Sequence, residues 1–412
     1  MLNLTFRVLA TALLALAVVP QVDAQTQVAA PNDKARPSEP PNLIDPFAAR
    51  ANRFSQQPQV DPDVSEFVEN ATGKIAPRRS SPDAPRVDAV VLKDGTRLEG
   101  VLQRLSYSDG ARIVVDGQEL RVELSQIERV DLSVSETFAL AVDAFESGVR
   151  AALDSQFRLA LALFREARAN SDRRIEKEWA TAKIVETLLA LGLSDDAAVE
   201  FFILCRIDPY PAFLSSIPLR WRNQRSAHAD PESKRRAEDA AAEWLDKDEN
   251  PSGVPNPAAR LLAASILLQS AERRVDAISA INDLCALEPP EGAAPDVTEA
   301  CRVLSLLALA QNWRLEVLQS PDRRTVDRWR RTLELMPNAC KPGPAYLIGL
   351  GESALGDDSE ARQYFMIASC SSDRETSRDA FLKCASSCER LGDSAVAAAI
   401  RERLEKNVRL NQ

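Results

Sequence analysis

The residue types that most often perform chemistry are sparse in this sequence. The 412 residues include a single histidine, His228, with arginines before it and Lys234 after it. Histidine is the usual general base near neutral pH and the commonest metal ligand. One histidine cannot form a histidine-rich zinc site, and polar neighbours are typical of a solvated loop. We therefore predict no catalytic residue and no metal site.

Cysteine is the second candidate for chemistry. The seven cysteines are an odd number, which leaves at least one thiol without an internal disulfide partner. No Cys-x-x-Cys pair occurs, and the four-residue spacing of Cys384 and Cys388 is strained for a disulfide within one helix. Two interpretations stay open: packing as small hydrophobic side chains, or one or two disulfides in an oxidising compartment. The cysteines are Cys205, Cys285, Cys301, Cys340, Cys370, Cys384 and Cys388.

Carboxylates and glycines form no catalytic pattern either. The pairs Asp195-Asp196 and Asp357-Asp358 stand where helices are predicted to begin, and carboxylates cap free N–H groups at such positions. The run Gly349-Leu-Gly351 lacks the third glycine and the preceding strand of a dinucleotide loop. We predict a protein that is not an enzyme and holds no cofactor.

The overall charge argues against a nucleic-acid partner. The net charge is −10, whereas binding to phosphates needs a basic surface. Hydrophobic residues make up 45% of the chain, which is enough for a core, but aromatic residues make up only 5%. Alanine and leucine dominate the second half, a composition that favours helices.

The N-terminus has the order of a secretory signal peptide. Met1–Arg7 carries one positive charge, Val8–Val19 is an apolar run, and small or aliphatic residues lead to Ala24. The run is too short for a stable membrane anchor, which needs about 20 residues. We predict a signal peptide over 1–24, cleaved after Ala24, and export to the periplasm or cell envelope. No later segment has 18 consecutive apolar residues, so we expect no integral membrane segment in the mature chain.

Residues 25–86 are predicted to form a disordered linker. They contain ten of the 25 prolines and show no hydrophobic period. Such a segment buries too little apolar surface to offset the entropy of ordering.

Residues 87–133 are predicted to form a small β module. Three Asp-Gly turns, whose glycines accept a positive φ, separate runs rich in β-branched residues. This pattern predicts five antiparallel strands in a small barrel or curled sheet. The stretch Leu92–Leu102 resembles the opening of Sm-like and SH3-like barrels, in which an Asp-Gly turn precedes a strand bent at a glycine. We do not expect the RNA binding of Sm proteins, because Tyr107 is the only aromatic residue of the module.

From residue 135 to 407 the hydrophobic period is helical, and one spacing recurs. A small residue is followed four positions later by a bulky one, as in Ala160 with Phe164 and Ala361 with Phe365. Turn glycines precede several of these pairs, and prolines follow some of them. Such a recurrence indicates a helical repeat. The predicted repeats begin at irregular intervals, near residues 141, 178, 258, 306, 342 and 378, so a generic α-solenoid stays open as the alternative.

This spacing resembles the tetratricopeptide repeat (TPR) family. The resemblance implies a mainly α fold, with a TPR-like superhelix of about six helix pairs after the β module. In that family a small residue lets two helices pack closely, a bulky residue fills the gap to the next pair, and a proline ends the second helix. An insertion at about 210–257, with a helix predicted over Glu232–Asp246, departs from the pattern. The residues that carry the signature are Gly148, Ala160, Phe164, Ala197, Phe201, Pro209, Ala277, Pro289, Gly349, Gly356, Ala361 and Phe365.

The resemblance also implies a binding surface. In TPR proteins the first helix of each pair lines a concave groove, which places Phe145, Trp179, Glu186, Tyr346 and Glu389 toward that groove. Tryptophan and tyrosine are frequent binding anchors, so Trp179 and Tyr346 are the strongest candidates. Packing of both side chains against adjacent repeats is the alternative.

These patterns together predict an exported scaffold that presents its helical-repeat surface to a protein or peptide partner. One alternative is a cell-wall or polysaccharide adaptor that binds through the β module. A second alternative is an accessory subunit of an envelope enzyme, which would require a cleft of carboxylates with shifted pKa values.

Overall fold

The computed structural model describes residues 75–79, 86–107, 110–151, 153–207, 214–223, 230–247 and 256–410. Within these ranges, six β-strands precede thirteen α-helices. The predicted mainly α fold with a small N-terminal sheet is therefore confirmed. The predicted signal peptide over 1–24, most of the predicted linker, Pro209 and His228 lie outside the described residues.

The strands follow the predicted positions closely from residue 87 onward. The predicted turn glycines Gly95, Gly110 and Gly117 have φ values of 85°, 65° and 79°, which glycine adopts without steric cost. The strands are β1 (Ile75–Arg79), β2 (Asp88–Leu92), β3 (Arg97–Ser106), β4 (Gly110–Val115), β5 (Gln118–Val122) and β6 (Ile127–Val134).

The sheet is open, so of the two predicted alternatives, a small barrel or a curled sheet, the barrel is excluded. The strand order β1-β6-β2-β3-β4-β5 leaves β1 and β5 at the two edges. Strand β1 lies within the segment that was predicted to be linker, and it pairs in parallel with β6 from Ile75↔Val130 to Arg79↔Val134. The sheet therefore has one more strand than predicted and is mixed rather than antiparallel.

Strand β3 serves two neighbours because it bends at its centre. Its first residues pair with β2, and the residues from Val101 onward pair with β4. A Cβ atom at Gly100 would lie 2.1 Å from the carbonyl oxygen of Val114. Only glycine permits this close approach, which explains the glycine in the Leu92–Leu102 run.

Successive helices pack against each other along the chain, and α4, α6, α8, α10 and α12 also contact one another in that order. This stacking of alternate helices is what a helical repeat produces. No helix in the described ranges combines the length and apolar character needed to cross a bilayer. The helices are α1 (Glu136–Ala151), α2 (Asp154–Asn170), α3 (Arg174–Ala190), α4 (Ser194–Ile207), α5 (Pro231–Lys247), α6 (Pro257–Leu267), α7 (Arg274–Cys285), α8 (Pro295–Glu316), α9 (Arg323–Glu334), α10 (Pro342–Ala354), α11 (Asp358–Ala368), α12 (Arg374–Arg390) and α13 (Ser394–Leu410).

One turn recurs at three places in the array. Helices α3, α10 and α12 are each followed by Leu-Gly, and Gly192, Gly356 and Gly392 have φ values of 76°, 79° and 85°. The residue after each glycine donates its N–H to a carbonyl oxygen five residues earlier, at 2.8 to 3.0 Å. This Schellman arrangement ends a helix and turns the chain into the next one.

The predicted signature residues occupy close helix contacts. A Cβ atom at Gly349 would lie 2.7 Å from the ring of Phe365, and one at Gly148 would lie 2.9 Å from the ring of Phe157. Glycine therefore brings α10 onto α11 and α1 onto α2. The alanines and aromatic residues of the signature are also buried, namely Ala160, Phe164, Ala197, Phe201, Ala277, Ala361 and Phe365.

The predicted insertion contains one array helix and one extended segment. The helix predicted over Glu232–Asp246 is α5, and it packs between α4 and α6. Leu214–Ser216 forms a short 3-10 turn, and the chain then runs without regular structure to Asn223. We call Leu214–Asn223 the inner segment.

A buried ion pair joins the sheet to the helices. Asp88 of β2 is fully buried, and its carboxylate accepts the N–H groups of Leu102 at 2.7 Å and Ser133 at 2.8 Å. Arg173, which directly precedes α3, pairs with the same carboxylate and donates to the carbonyl of Ser133 at 2.5 Å. One carboxylate thus holds β3, β6 and the helical array together.

Candidate interaction surfaces

The inner segment lies along the helices that the TPR resemblance assigns to the groove. At its start, the hydroxyl of Ser216 donates to Glu186 of α3 at 3.2 Å. Further on, the N–H of Arg220 donates to the hydroxyl of Ser265 of α6 at 2.8 Å. The chain itself therefore occupies the first part of the predicted binding groove.

The far end of the inner segment continues onto α8 and α12. The side-chain amide of Asn223 donates to the carbonyl of Arg314 at 3.0 Å. The guanidinium of Arg222 lies 3.3 Å from the carboxylate of Glu375 near the start of α12. The inner segment thus spans the helix pairs from α3 to α12.

Trp221 fixes the inner segment against α10. A Cβ atom at Gly343 would lie only 2.1 Å from the Trp221 ring. The ring therefore rests directly on the helix backbone, and a larger residue at position 343 would displace it.

The apolar side chains of the inner segment decide whether a partner could displace it. Leu214, Ile217, Leu219 and Trp221 are 1%, 8%, 5% and 8% exposed. Burial of four such side chains contributes about 6–12 kcal/mol. A partner that displaced the segment would have to replace this burial. The inner segment is therefore part of the core rather than an exchangeable ligand.

The strongest predicted groove residues are buried. Trp179 is 1% exposed and its ring lies 4.7 Å from that of Phe138, so it packs against the preceding helices. Tyr346 is 4% exposed and donates its hydroxyl to Asp379. Burial, reinforced by that hydrogen bond, raises the pKa of Tyr346 well above its usual range. Both side chains follow the packing alternative, and neither offers a surface to a partner in this conformation.

The other predicted groove residues lie at different depths. Glu186 contacts the inner segment, as described above. Phe145 is half-buried; its ring lies 5.6 Å from that of Phe157, and the ammonium of Lys183 lies 5.3 Å from the ring centre. Glu389 is exposed and pairs with Arg401. The structure does not bring the five residues together on one open surface.

Arg314 is a buried cation without an anionic partner among the described residues. It is 1% exposed, and its guanidinium donates to the carbonyl of Ser265 at 2.9 Å and the amide oxygen of Gln311 at 2.8 Å. Its Nε and Nη2 atoms have no hydrogen-bond acceptor there. Burial, together with the nearby charge of Arg220, lowers the pKa of Arg314 to about 9. Sequence reasoning missed this residue, since an arginine in an Ala-Leu helix carries no distinguishing signal.

We expect Arg314→Met to raise the free energy of unfolding at pH 7 by about 1–4 kcal/mol, because it removes an uncompensated buried charge. Above pH 9 and below the usual arginine pKa, the unfolded chain binds the proton that the folded protein has lost. The free energy of unfolding of the wild type therefore rises with pH in this range, because the buried guanidinium loses its charge. The stability advantage of the variant should shrink above pH 9. Denaturant titrations at pH 7 and pH 10 measure both effects.

The exposed Arg235 of α5 provides the matched control for Arg314. Arg235→Met should change stability by no more than about 0.5 kcal/mol at either pH. A loss of stability for Arg314→Met at pH 7 would show instead that the guanidinium has an anionic partner.

The last helix pair returns to the first ones, and a cleft forms where they meet. The hydroxyl of Ser194 at the start of α4 donates to Asp373 at 3.2 Å, and Arg374 of α12 pairs with Asp154 of α2 at 2.6 Å. Beside these contacts lies a cleft of about 120 Å³, lined by the starts of α4, α5 and α12 and by Arg220–Arg222. We call it the seam cleft.

Carboxylates predominate in the seam cleft. Arg220 pairs with Asp195, and Asp373 accepts the N–H of Thr376 at 3.2 Å as the cap of α12. Asp196, which was predicted as a helix cap, pairs with Arg236 at 3.0 Å. The charged lining residues are Asp195, Asp196, Asp230, Glu238, Asp373 and Glu375 against Arg220, Arg222 and Lys234. The excess of negative charge favours a cationic group from outside.

The seven cysteines all lie in the described part of the chain, and none forms a disulfide. Six of them are buried and pack as small hydrophobic side chains, whereas Cys370 is exposed. Burial, and then the neighbouring thiol of Cys388, raises the pKa of Cys384 to about 12. A thiol held in its neutral form is a poor nucleophile.

No group of histidine, cysteine and carboxylate side chains within the described ranges is arranged to hold a metal ion. No protein-family model matches the chain, and no curated protein matches it in sequence.

Proposed function

We propose that the protein is an exported scaffold that binds a polypeptide partner through the seam cleft, and that the partner offers a basic segment. The observation that carries the proposal is the lining of the cleft, which includes six carboxylates and three basic side chains. Four of the carboxylates are paired, with Arg220, Arg222, Lys234 and Arg236, so the cleft keeps an excess of two negative charges. Such a surface attracts a cationic segment and speeds its association.

Two further features support this choice of surface. The inner segment already covers part of the surface predicted as a groove, which favours a binding surface elsewhere. The net charge of −10 adds a long-range field that favours basic partners. The proposal that the scaffold is exported rests on the signal-peptide pattern of residues 1–24.

A photoreactive amino acid at the cleft would identify the partner in the native host. Leu193 lines the cleft and is 44% exposed, so it is the attachment position. Leu318 is 61% exposed and does not line the cleft, so it is the control position. We expect a crosslink to a lysine- or arginine-rich segment from position 193 and none from position 318.

The affinity of the identified segment then tests the charge argument. Asp196→Asn combined with Glu238→Gln removes two cleft carboxylates and should weaken binding by about 3–10-fold at low salt. Asp276→Asn removes an exposed carboxylate of α7 that lies outside the cleft lining and should leave the affinity unchanged. Equal affinities for all three proteins would contradict the proposal.

A further inference from the structure

The two edges of the sheet differ in how they are protected. Edge strand β1 contains Pro77, which has no N–H to offer, and its Arg79 pairs with Asp143 of the adjacent α1. Proline and a covering helix are common ways to prevent further strand pairing. This edge is therefore closed to another strand.

The opposite edge, β5, has no such protection in the described structure. All five of its residues pair with β4 on one side, and no described strand pairs on the other. Four of the five residues, Gln118–Arg121, are exposed, and Leu120 is 37% exposed. The strand has no proline, so its outer backbone groups can pair with another chain.

The sequence of β5 is complementary to itself. When two copies pair antiparallel about Leu120, Glu119 of each copy lies opposite Arg121 of the other. The two Leu120 side chains then meet at the centre of the pair. Opposite charges on facing positions stabilise a strand pair, and like charges destabilise it.

We propose that β5 pairs with β5 of a second copy of this chain, so that two sheets join into one across a two-fold axis. A two-fold axis brings the same strand of both copies together in opposite directions, so its sequence must be complementary to itself. The order Glu119-Leu120-Arg121 meets this requirement, because the acidic and basic residues lie on either side of a central leucine. The surface is separate from the seam cleft and would give the scaffold two copies of that cleft.

The neighbouring charges are compatible with this pairing. Across β4 and β5, Arg112 lies opposite Arg121, and Glu119 accepts a hydrogen bond from Arg112 at 3.3 Å. Arg121 also lies close enough to Asp296 to favour the charged form of that carboxylate. A second copy brings its Glu119 to Arg121 and its Arg121 to Glu119, so the pairing places opposite charges together at both ends and adds no net charge.

The pairing should be weak and reversible. A five-residue strand buries less than the roughly 1,200 Å² that stable interfaces need. Dimerisation should therefore depend on protein concentration, and salt should weaken it because the charge pairs are exposed. Sedimentation equilibrium over a concentration series, at low and high salt, measures both dependences.

Charge reversals provide the decisive test. Glu119→Arg leaves the strand with two basic and no acidic side chains, and Arg121→Glu leaves it with two acidic and no basic side chains. Each variant alone should dimerise about tenfold more weakly than wild type or not at all. An equimolar mixture of the two should form a heterodimer, because each basic strand then faces an acidic one. The double variant Glu119→Arg with Arg121→Glu restores opposite charges and should dimerise like wild type.

The outcomes separate pairing from damage to the sheet. If Glu119→Arg unfolds near Arg112, Arg121→Glu alone still tests the proposal, because it leaves the contact between Glu119 and Arg112 in place and should still weaken dimerisation. Undiminished dimerisation of both single variants, or a mixture that stays monomeric, overturns it. A wild-type protein that is monomeric at all concentrations also overturns it and shows that the charges only shield the edge.

Discussion

Asp88→Ala should lower the free energy of unfolding by about 3–5 kcal/mol, because it breaks a buried ion pair and leaves the other partner without a counter-charge. The Asp88 carboxylate is the shared acceptor for the N–H groups of Leu102 and Ser133 and for Arg173. Its removal leaves two buried N–H groups unsatisfied, each of which costs about 1–3 kcal/mol if no water replaces the carboxylate.

Two companion variants define the cause of this loss. Asp88→Asn keeps the volume of the side chain but removes its charge and one of its two acceptor oxygens, so a loss similar to that of Asp88→Ala assigns the effect to the carboxylate rather than to a cavity. Asp94→Ala removes an exposed carboxylate that accepts the N–H of Thr96 in the first hairpin at 2.8 Å, and should cost no more than about 1 kcal/mol. Chemical denaturation followed by circular dichroism gives all three values. A loss below that of Asp94→Ala would show that Arg173 does not depend on Asp88.

The strands from residue 87 onward could be predicted because their signals are local. Each hairpin has its Asp-Gly turn, and the turn glycines have the positive φ that the pattern requires. Strand β1 could not be found in this way, since it pairs with Val130–Val134, more than 50 residues later in the chain. The presence of Pro77 also argued against a strand, although proline is tolerated at a sheet edge.

The helix pairs could be predicted for a related reason. Small residues such as Gly349 and Ala361 must occupy close helix contacts, and this requirement leaves a spacing that can be read in the sequence. The spacing says which helices pack together, but not what fills the space along the first helices of the pairs. What fills that space depends on contacts between the inner segment and helices as far as 153 residues away in the chain.

One sequence signal could have revealed the inner segment. Ile217, Leu219 and Trp221 alternate with Pro218, Arg220 and Arg222. Alternation of apolar and other residues indicates an extended segment with one buried side. In the structure the arginines of this segment reach carboxylates of α4 and α12, while Trp221 packs on Gly343. The surface predicted as a groove is therefore partly covered by the chain itself.

Trp221 and Gly343 should show strong coupling in a double-mutant cycle. Trp221→Ala leaves a large cavity and should cost about 3–5 kcal/mol. Gly343→Ala inserts a methyl group 2.1 Å from the indole ring, and this overpacking should cost about 1–3 kcal/mol. When the ring is absent, the added methyl group meets no ring and partly fills the cavity. The double variant should therefore be about as stable as Trp221→Ala alone.

The same cycle with Trp244 is the control, because Trp244 stacks on Phe202 at a ring distance of 6.2 Å in another helix pair. Trp244→Ala and Gly343→Ala should destabilise additively, to within about 0.5 kcal/mol. The cycle also tests whether the inner segment is permanent. If it were an exchangeable ligand, Trp221→Ala would release it and leave the stability of the helices almost unchanged. A large loss for Trp221→Ala, together with rescue of the Gly343→Ala penalty, is the result expected of a core residue.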